Sequence, residues 1–222
     1  MPKLVVPERF QRNSSKVRTI DPEETGAALI SLACERLGLR DLAASDVLDV
    51  GCGVRFTQTI LNRGLPLRSY TGVDVDRDLM DWMRKEVRDP RFRFAAWDVR
   101  NPMYNKRAAP MTRDSKLPVA GDFDVIWLFS VFTHMPPADS DAMLAILRRH
   151  VRPTGRLFFS CFIDDAVGTF ADRTPERPAL HATYAERTMR DLLAKNGWEA
   201  LALHPKDDAR FIQHHFVCAP KA

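Results

Sequence analysis

The chain has 222 residues, of which 45% are apolar and 28% charged, and its 33 basic and 29 acidic side chains leave a net charge of +4. That length and mixture suit one globular domain with a sizeable core. The cations are scattered among acids with no basic stripe, which gives no nucleic-acid footprint, and Cys34, Cys52, Cys161 and Cys218 stand too far apart for a C-x-x-C zinc or redox motif.

Residues 1 to about 20 are polar and basic and read as an arm or partial lid. The stretch Met1-Pro2-Lys3-Leu4-Val5-Val6-Pro7 is too short in apolar residues for a signal peptide, and the cysteine usage fits a reducing cytosol, so a cytoplasmic protein is expected. Asp21-Pro22-Glu23-Glu24 opens a helix, with Asp21 as N-cap, Pro22 in the first turn and Glu24 completing a capping box. Leu29, Leu32, Ala33 and Leu37 share one face, and Gly38 suits the stop.

Next comes Val47-Leu48-Asp49-Val50-Gly51-Cys52-Gly53, an apolar strand that breaks into two glycines one residue apart. Such a loop lets the backbone turn sharply and lie against a ligand. A dinucleotide site wants G-x-G-x-x-G, but Phe56 stands at the third glycine position, and no Gly-Lys-Ser/Thr follows for a phosphate loop. A short helix covers Thr57 to Asn62 and ends near Gly64. Ser69-Tyr70-Thr71-Gly72-Val73-Asp74 is a second strand, Leu79 to Val87 a helix, and Phe92 to Trp97 a third strand ending at Asp98. Three successive strands therefore finish in Asp49, Asp74 and Asp98. Open α/β sheets bind ligands at the carboxyl ends of their strands, and three acids there suit ribose hydroxyls, amino groups and positive charge rather than phosphates.

Between 100 and 121 the pattern fails, with Pro102, Pro110 and Pro118 around a Lys106-Arg107 pair. The stretch is longer than most connections. The apolar run Val125 to Phe132 is far too short to span a membrane. A helix follows Asp139, with Met143, Leu144 and Leu147 facing inward, and a second long loop covers 163 to 182. Thr183-Tyr184-Ala185-Glu186 reads as a capping box for a helix ending at Gly197, and Trp198 to Leu203 with Phe211 to Cys218 read as a hairpin. No internal repeat or low-complexity tract is present. Alternating strands and helices imply a parallel sheet with helices on both faces.

On these residues the chain resembles the class I S-adenosylmethionine-dependent methyltransferases. The match rests on Val47 to Gly53, on Gly72-Val73-Asp74, on Asp98, on Phe123-Asp124-Val125-Ile126-Trp127, and on Leu147 to Phe159 with its Val151-Arg152-Pro153-Thr154-Gly155-Arg156 turn, and it runs from about Val47 to Cys218. Two departures stand out. The first loop continues as Val54-Arg55 where the family has a further glycine, and Thr154-Gly155 replaces paired glycines before the fifth strand.

The resemblance implies an α/β, Rossmann-like, doubly wound and mostly parallel sheet of seven strands, the last antiparallel. It implies a cofactor-binding domain over 46–222 with insertions near 100–121 and 164–182, preceded by an arm and helix over 1–45 that cover the active site. S-adenosyl-L-methionine is the implied cofactor. Gly51, Cys52 and Gly53 would lie along its methionine portion, with Asp49 at the amino group, Asp74 at the ribose and Asp98 at the adenine amine. Val75 and Val99 would sandwich the adenine, and Phe129 and Ser130 would sit by the methyl group. His134, in Ser130-Val131-Phe132-Thr133-His134-Met135, is the candidate base, since imidazole titrates near neutral pH. His181, Asp164, Tyr104 and Tyr184 are further candidates. His214 and His215 are adjacent on a strand, so their side chains point to opposite faces and cannot share a metal; a structural pair is expected and no metal site is assigned.

The expected activity is methyl transfer to an oxygen or nitrogen of a small-molecule acceptor, sugar-like or a secondary metabolite, with no nucleic-acid or membrane partner. The alternatives are a non-catalytic S-adenosylmethionine-binding partner protein and a nucleotide-dependent oxidoreductase, the latter opposed by Phe56.

Overall fold

The computed structural model describes residues 3–12, 21–176, 181–207 and 211–221. In chain order the elements are α1 (Pro22–Leu37), β1 (Leu42–Val50), α2 (Arg55–Arg63), β2 (Leu67–Asp74), α3 (Arg77–Glu86), β3 (Phe92–Ala96), β4 (Phe123–Leu128), α4 (Pro137–Arg148), β5 (Val151–Ile163), β6 (Phe170–Asp172), β7 (Ala182–Tyr184), α5 (Glu186–Lys195), β8 (Trp198–His204) and β9 (His214–Pro220). Strands β3, β2, β1, β4 and β5 lie side by side in parallel. Strand β9 joins β5 antiparallel, and β8 joins β9. This is the Rossmann-like sheet the sequence implies, with the antiparallel strand last.

The second long loop differs from expectation. It holds two short strands, with β7 parallel to the end of β5 and β6 antiparallel to β7, so the sheet has nine strands among the described residues. The capping box expected at Thr183 is corrected for the same reason. Thr183 and Tyr184 belong to β7, and the N-cap of α5 is Ala185, which has no side-chain bond to offer. The cap comes from elsewhere in the chain: Asp165 Oδ1 accepts from the Glu186 N–H at 2.9 Å. A local pattern cannot show a donor satisfied across 21 residues.

Helices cover both faces. One layer packs Ile30, Ala33, Phe56, Ile60, Leu79 and Met83 of α1, α2 and α3 against Val47, Tyr70 and Val125 of the sheet. The other packs Met143, Leu147, Met189 and Leu193 of α4 and α5 against Leu48, Ile126 and Phe159. Helix α1 is therefore part of the sheet's helical layer, and β1 starts at Leu42, before the domain start expected at 46. Its N-cap is as read, Asp21 Oδ1 accepting from the Glu23 N–H at 2.9 Å, but Glu24 completes no capping box; Glu23 instead accepts from Asn62 at 2.7 Å.

Helix α1 crosses α2 closely at a glycine absent from the sequence-derived face. A Cβ on Gly26 would stand 2.1 Å from Thr59 Oγ1 and 3.2 Å from Arg55 Cγ. Gly26→Ala is expected to destabilise the fold by about 1–3 kcal/mol through overpacking, read as a lower denaturant midpoint at unchanged slope. An unchanged midpoint would mean that the two helices can separate freely.

Candidate active site

Beyond the carboxyl ends of β1, β2 and β4 lies a cavity of about 780 Å³. The backbone stitches these ends together. After Val50 the chain turns over β2, with the N–H groups of Gly51 and Cys52 both donating to the Val73 carbonyl, at 2.7 and 3.1 Å. Gly51 (φ +74°) and Gly53 (φ +51°) adopt the left-handed region, and a Cβ on Gly51 would meet Val131 Cγ2 at 2.6 Å. Only glycine permits that turn at low cost and leaves bare backbone against the cavity. The Gly53 N–H donates to Asp74 Oδ2 at 3.0 Å, which locks the glycine loop to the acid ending β2.

Of the expected cofactor residues, Asp49, Gly51, Cys52, Gly53, Asp74, Val75, Val99, Phe129 and Ser130 all line this cavity. Asp98 does not. Its side chain is exposed and accepts from Asn105 Nδ2 at 3.0 Å, which fastens the start of the 100–121 insertion. Ser130, at the turn after β4, is a non-glycine residue with positive φ (57°). The conformation is held by its N–H, which donates to Ser160 Oγ at 2.7 Å, and by Gln213, whose Nε2 donates to Ser130 Oγ at 2.9 Å. Such strain persists where the surroundings over-determine it, and here it aims β4 at the cavity.

Asp49 is the most perturbed acid. It is 1% exposed, and burial pushes its carboxyl up to about 7, against the opposing hydrogen bond that Tyr70 Oη donates to Oδ2. Asp74 adds to the upward shift as a nearby negative charge.

The acceptor-side candidates separate. His134 and His181 line the cavity, His134 at the end of a 3₁₀ turn (Phe132–His134) and His181 with its ring 4.5 Å from that of Phe162. Tyr104 also lines it, from the insertion. Asp164 does not; it caps a turn through the Ala166 N–H and pairs with Arg173 at 2.5 Å. Tyr184 is fully buried, its hydroxyl donating to the Met135 carbonyl at 2.6 Å and bonded to Ser140 Oγ at 2.8 Å. Burial raises its pKa, and its two hydrogen bonds brace the loop after β4; Tyr184 does not line the cavity.

Three further lining residues bear on the charge of the site: Arg12 and Asp139, given no site role from the sequence, and His215, read there as structural. Arg12 reaches Asp74 from the arm, Asp139 looks in from the first turn of α4, and His215 looks in from β9. Asp139 has a carboxyl raised by burial and no hydrogen-bond or ion-pair partner among the described residues. His215 stacks on Phe158 (5.4 Å, 14°), and its Nδ1 is 2.5 Å from Arg36 Nη1. An imidazole facing a guanidinium there accepts, so His215 is neutral. Burial, then Arg36, pushes it down to about 3.

The sign of its contribution follows from that depressed value. The unfolded histidine titrates near 6.5 and takes up a proton that the folded one refuses, so stability is lost as pH falls below about 6.5 toward 3. Between pH 6.5 and 5 the loss is about 2 kcal/mol. His215→Gln, neutral throughout, is expected to flatten that part of the thermal-midpoint profile. An unchanged acid slope would assign the loss to other groups.

Among the described residues no helix is long and apolar enough to cross a membrane, and no group of three His, Cys, Asp or Glu side chains could hold a metal. A family described as a methyltransferase domain matches residues 23–203. A malonyl-[acyl-carrier protein] O-methyltransferase of Halalkalibacterium halodurans is 25% identical over 155 residues, 69% of this chain and 52% of that protein, so the chain spans about half the length of this curated relative. Among solved structures, the glycopeptide N-methyltransferase MtfA complexed with sinefungin is similar with a TM-score of 0.60 at 15% identity, over 89% of this chain and 94% of that one. The Burkholderia thailandensis 1,6-didemethyltoxoflavin-N1-methyltransferase, with bound 1,6-didemethyltoxoflavin and S-adenosylhomocysteine, gives 0.58 at 20% identity, over 90% and 79%. With the strand order, the glycine turn and the family match in agreement, the chain belongs to the class I S-adenosylmethionine-dependent methyltransferases.

Proposed function

We propose that the cavity binds S-adenosylmethionine and that the chain moves its methyl group to an oxygen or nitrogen of a small-molecule acceptor. The observation that carries this reading is the Gly53–Asp74 hydrogen bond at 3.0 Å, which joins a bare-backbone turn and a strand-end carboxylate on one wall of the cavity. The residues fit the cofactor by their chemistry. Asp74 suits vicinal ribose hydroxyls, Asp49 an ammonium group, Val75 and Val99 the faces of an adenine, and the Gly51-Cys52-Gly53 backbone a close-lying methionine chain. Asp98 would reach an adenine amine only from the rim, by releasing Asn105.

When bound, the cofactor supplies a methyl group made electrophilic by its sulfonium. The chain's own tasks are to orient the acceptor, exclude water and take a proton. Met111, Met135, Met143 and Phe162 give the acceptor side apolar walls. His134 is the proposed base, and Asp139 and His181 also line the cavity. The apolar walls and these few polar groups favour a small, largely apolar acceptor presenting an O–H or N–H. The relatives named above include two N-methyltransferases and one O-methyltransferase, which keeps both atoms within the proposal.

The test is a thermal scan of the purified chain with S-adenosylmethionine, S-adenosylhomocysteine or NAD, followed by labelled-methyl transfer into metabolite pools. The two sulfur nucleosides are expected to raise the midpoint and NAD to leave it alone. A folded protein indifferent to millimolar S-adenosylhomocysteine would defeat the reading.

A further inference from the structure

The reading above gives Asp74 to the ribose, yet Asp74 already holds a partner from its own chain. A carboxylate offers about four lone-pair positions. Two are taken by backbone donors, Gly53 N–H on Oδ2 and Asp76 N–H on Oδ1, each at 3.0 Å. Arg12 approaches the rest, its Nη1 at 3.1 Å from Oδ2 and 3.4 Å from Oδ1 and its Nη2 at 3.5 Å from Oδ1. Vicinal ribose hydroxyls need those same positions, so the guanidinium and the ribose compete.

The surroundings give the guanidinium somewhere else to go. Arg12 Nη2 is 2.9 Å from Asp76 Oδ2, and the Asp76 cap on α3 uses only the other oxygen, Oδ1, to Leu79 N–H at 3.1 Å. The Arg12 cation also lies 4.0 Å over the Tyr104 ring, which ties the arm to the 100–121 insertion. The arm is anchored on the N-terminal side of Arg12. Leu4 exchanges two hydrogen bonds with Asn62, at 2.7 and 3.1 Å, and buried Phe10 packs on Trp82 at 5.4 Å. Burial works against the Arg12 charge, but Asp74, then Tyr104 and Asp76, outweigh it and its pKa is raised.

We propose that Arg12 is an internal ligand of the ribose acid: it straps the nucleoside end of the cavity shut by holding Asp74, and it releases that carboxylate to the ribose by moving wholly onto Asp76. Arg12 thereby sets nucleoside affinity, because the ligand binds against a competitor built into the chain. This rests on Asp74 being the ribose acid.

Calorimetric titration with S-adenosylhomocysteine tests it, with wild type, Arg12→Ala, Asp76→Asn, the double variant, and Asp74→Ala as control. If the strapped form dominates, removing it tightens binding by the reciprocal of the open fraction, about tenfold for a strap closed nine-tenths of the time. Arg12→Ala is therefore expected to bind more tightly while its ligand-free thermal midpoint falls. Asp76→Asn, which keeps the α3 cap but removes the second carboxylate, is expected to bind more weakly, and only when Arg12 is present. Equal or weaker binding by Arg12→Ala, or an Asp76→Asn effect that persists without Arg12, would overturn the proposal. The control separates the two ideas: wild-type affinity in folded Asp74→Ala refutes the ribose assignment itself, whereas lost affinity there with no tightening in Arg12→Ala refutes the strap alone.

Discussion

Asp74→Ala is expected to weaken S-adenosylhomocysteine binding by about 10- to 100-fold, because each hydrogen bond to a charged group is worth about 1.5–3 kcal/mol and every 1.4 kcal/mol is tenfold in affinity. The carboxylate is 2% exposed and sits where β1, β2 and the arm converge, so its removal has a second consequence. The Gly53 and Asp76 N–H groups lose their acceptor together. Unpaired donors in a part-buried site cost about 1–3 kcal/mol each, so the ligand-free protein should also melt earlier. Asp74→Asn keeps one acceptor oxygen and one dipole, and it should fall between wild type and Asp74→Ala in both measurements. Calorimetry reads the affinity and circular dichroism the midpoint. Wild-type affinity in a folded Asp74→Ala would mean that the ribose acid is misassigned.

The fold was legible where the sequence repeats one simple decision. Strands such as Val47–Val50 and Phe123–Trp127 are mostly apolar runs, each preceded by an acid, and α1 and α4 show an inward face, so a parallel α/β sheet follows from the alternation of elements. The turn at Gly51 was legible because its conformation demands glycine. What escaped depends on partners distant in the chain. The α5 cap comes from Asp165, the close approach of α1 and α2 depends on Thr59, and the Arg173–Asp164 pair ties the chain after β5 to the end of β6. Asp98 differs from Asp49 and Asp74 in lying just beyond its strand, exposed, where it accepts from Asn105. Arg12 gave no signal at all, since a lone arginine in a basic arm looks like any other until the fold brings Asp74 and Asp76 to it. His215 was read as structural, which its stacking supports, but β9 also presents it to the cavity.

Stability is expected to fall as pH rises through the titration of buried Asp49. Its folded carboxyl is raised to about 7, against about 3.9 in an unfolded chain. A raised carboxyl contributes stability that is complete below the unfolded value and is lost as pH rises through the folded one, because folding must then bury a charge. By pH 8.5 the cost is about 4 kcal/mol, of which roughly 2 kcal/mol develops between pH 5.5 and 8.5. For a chain of this length that is about 4–8 °C in the thermal midpoint. Asp49→Asn cannot ionise and keeps an oxygen for the Tyr70 hydroxyl to donate to, so its profile across this window should be flatter than wild type by that amount. The comparison reads slope and not level, so the packing cost of an amide does not disturb it. His215 works in the opposite direction and at lower pH, and it cancels in the difference between the two proteins. The same carboxyl predicts a pH-dependent ligand. A bound ammonium favours the ionised form of Asp49, so wild-type affinity for S-adenosylhomocysteine should rise as pH climbs through about 7, with a proton released on binding. Asp49→Asn should bind more weakly and with little change across that range. Parallel stability profiles would mean that Asp49 is ionised in the folded protein throughout, and parallel affinity profiles would remove it from the amino-group site.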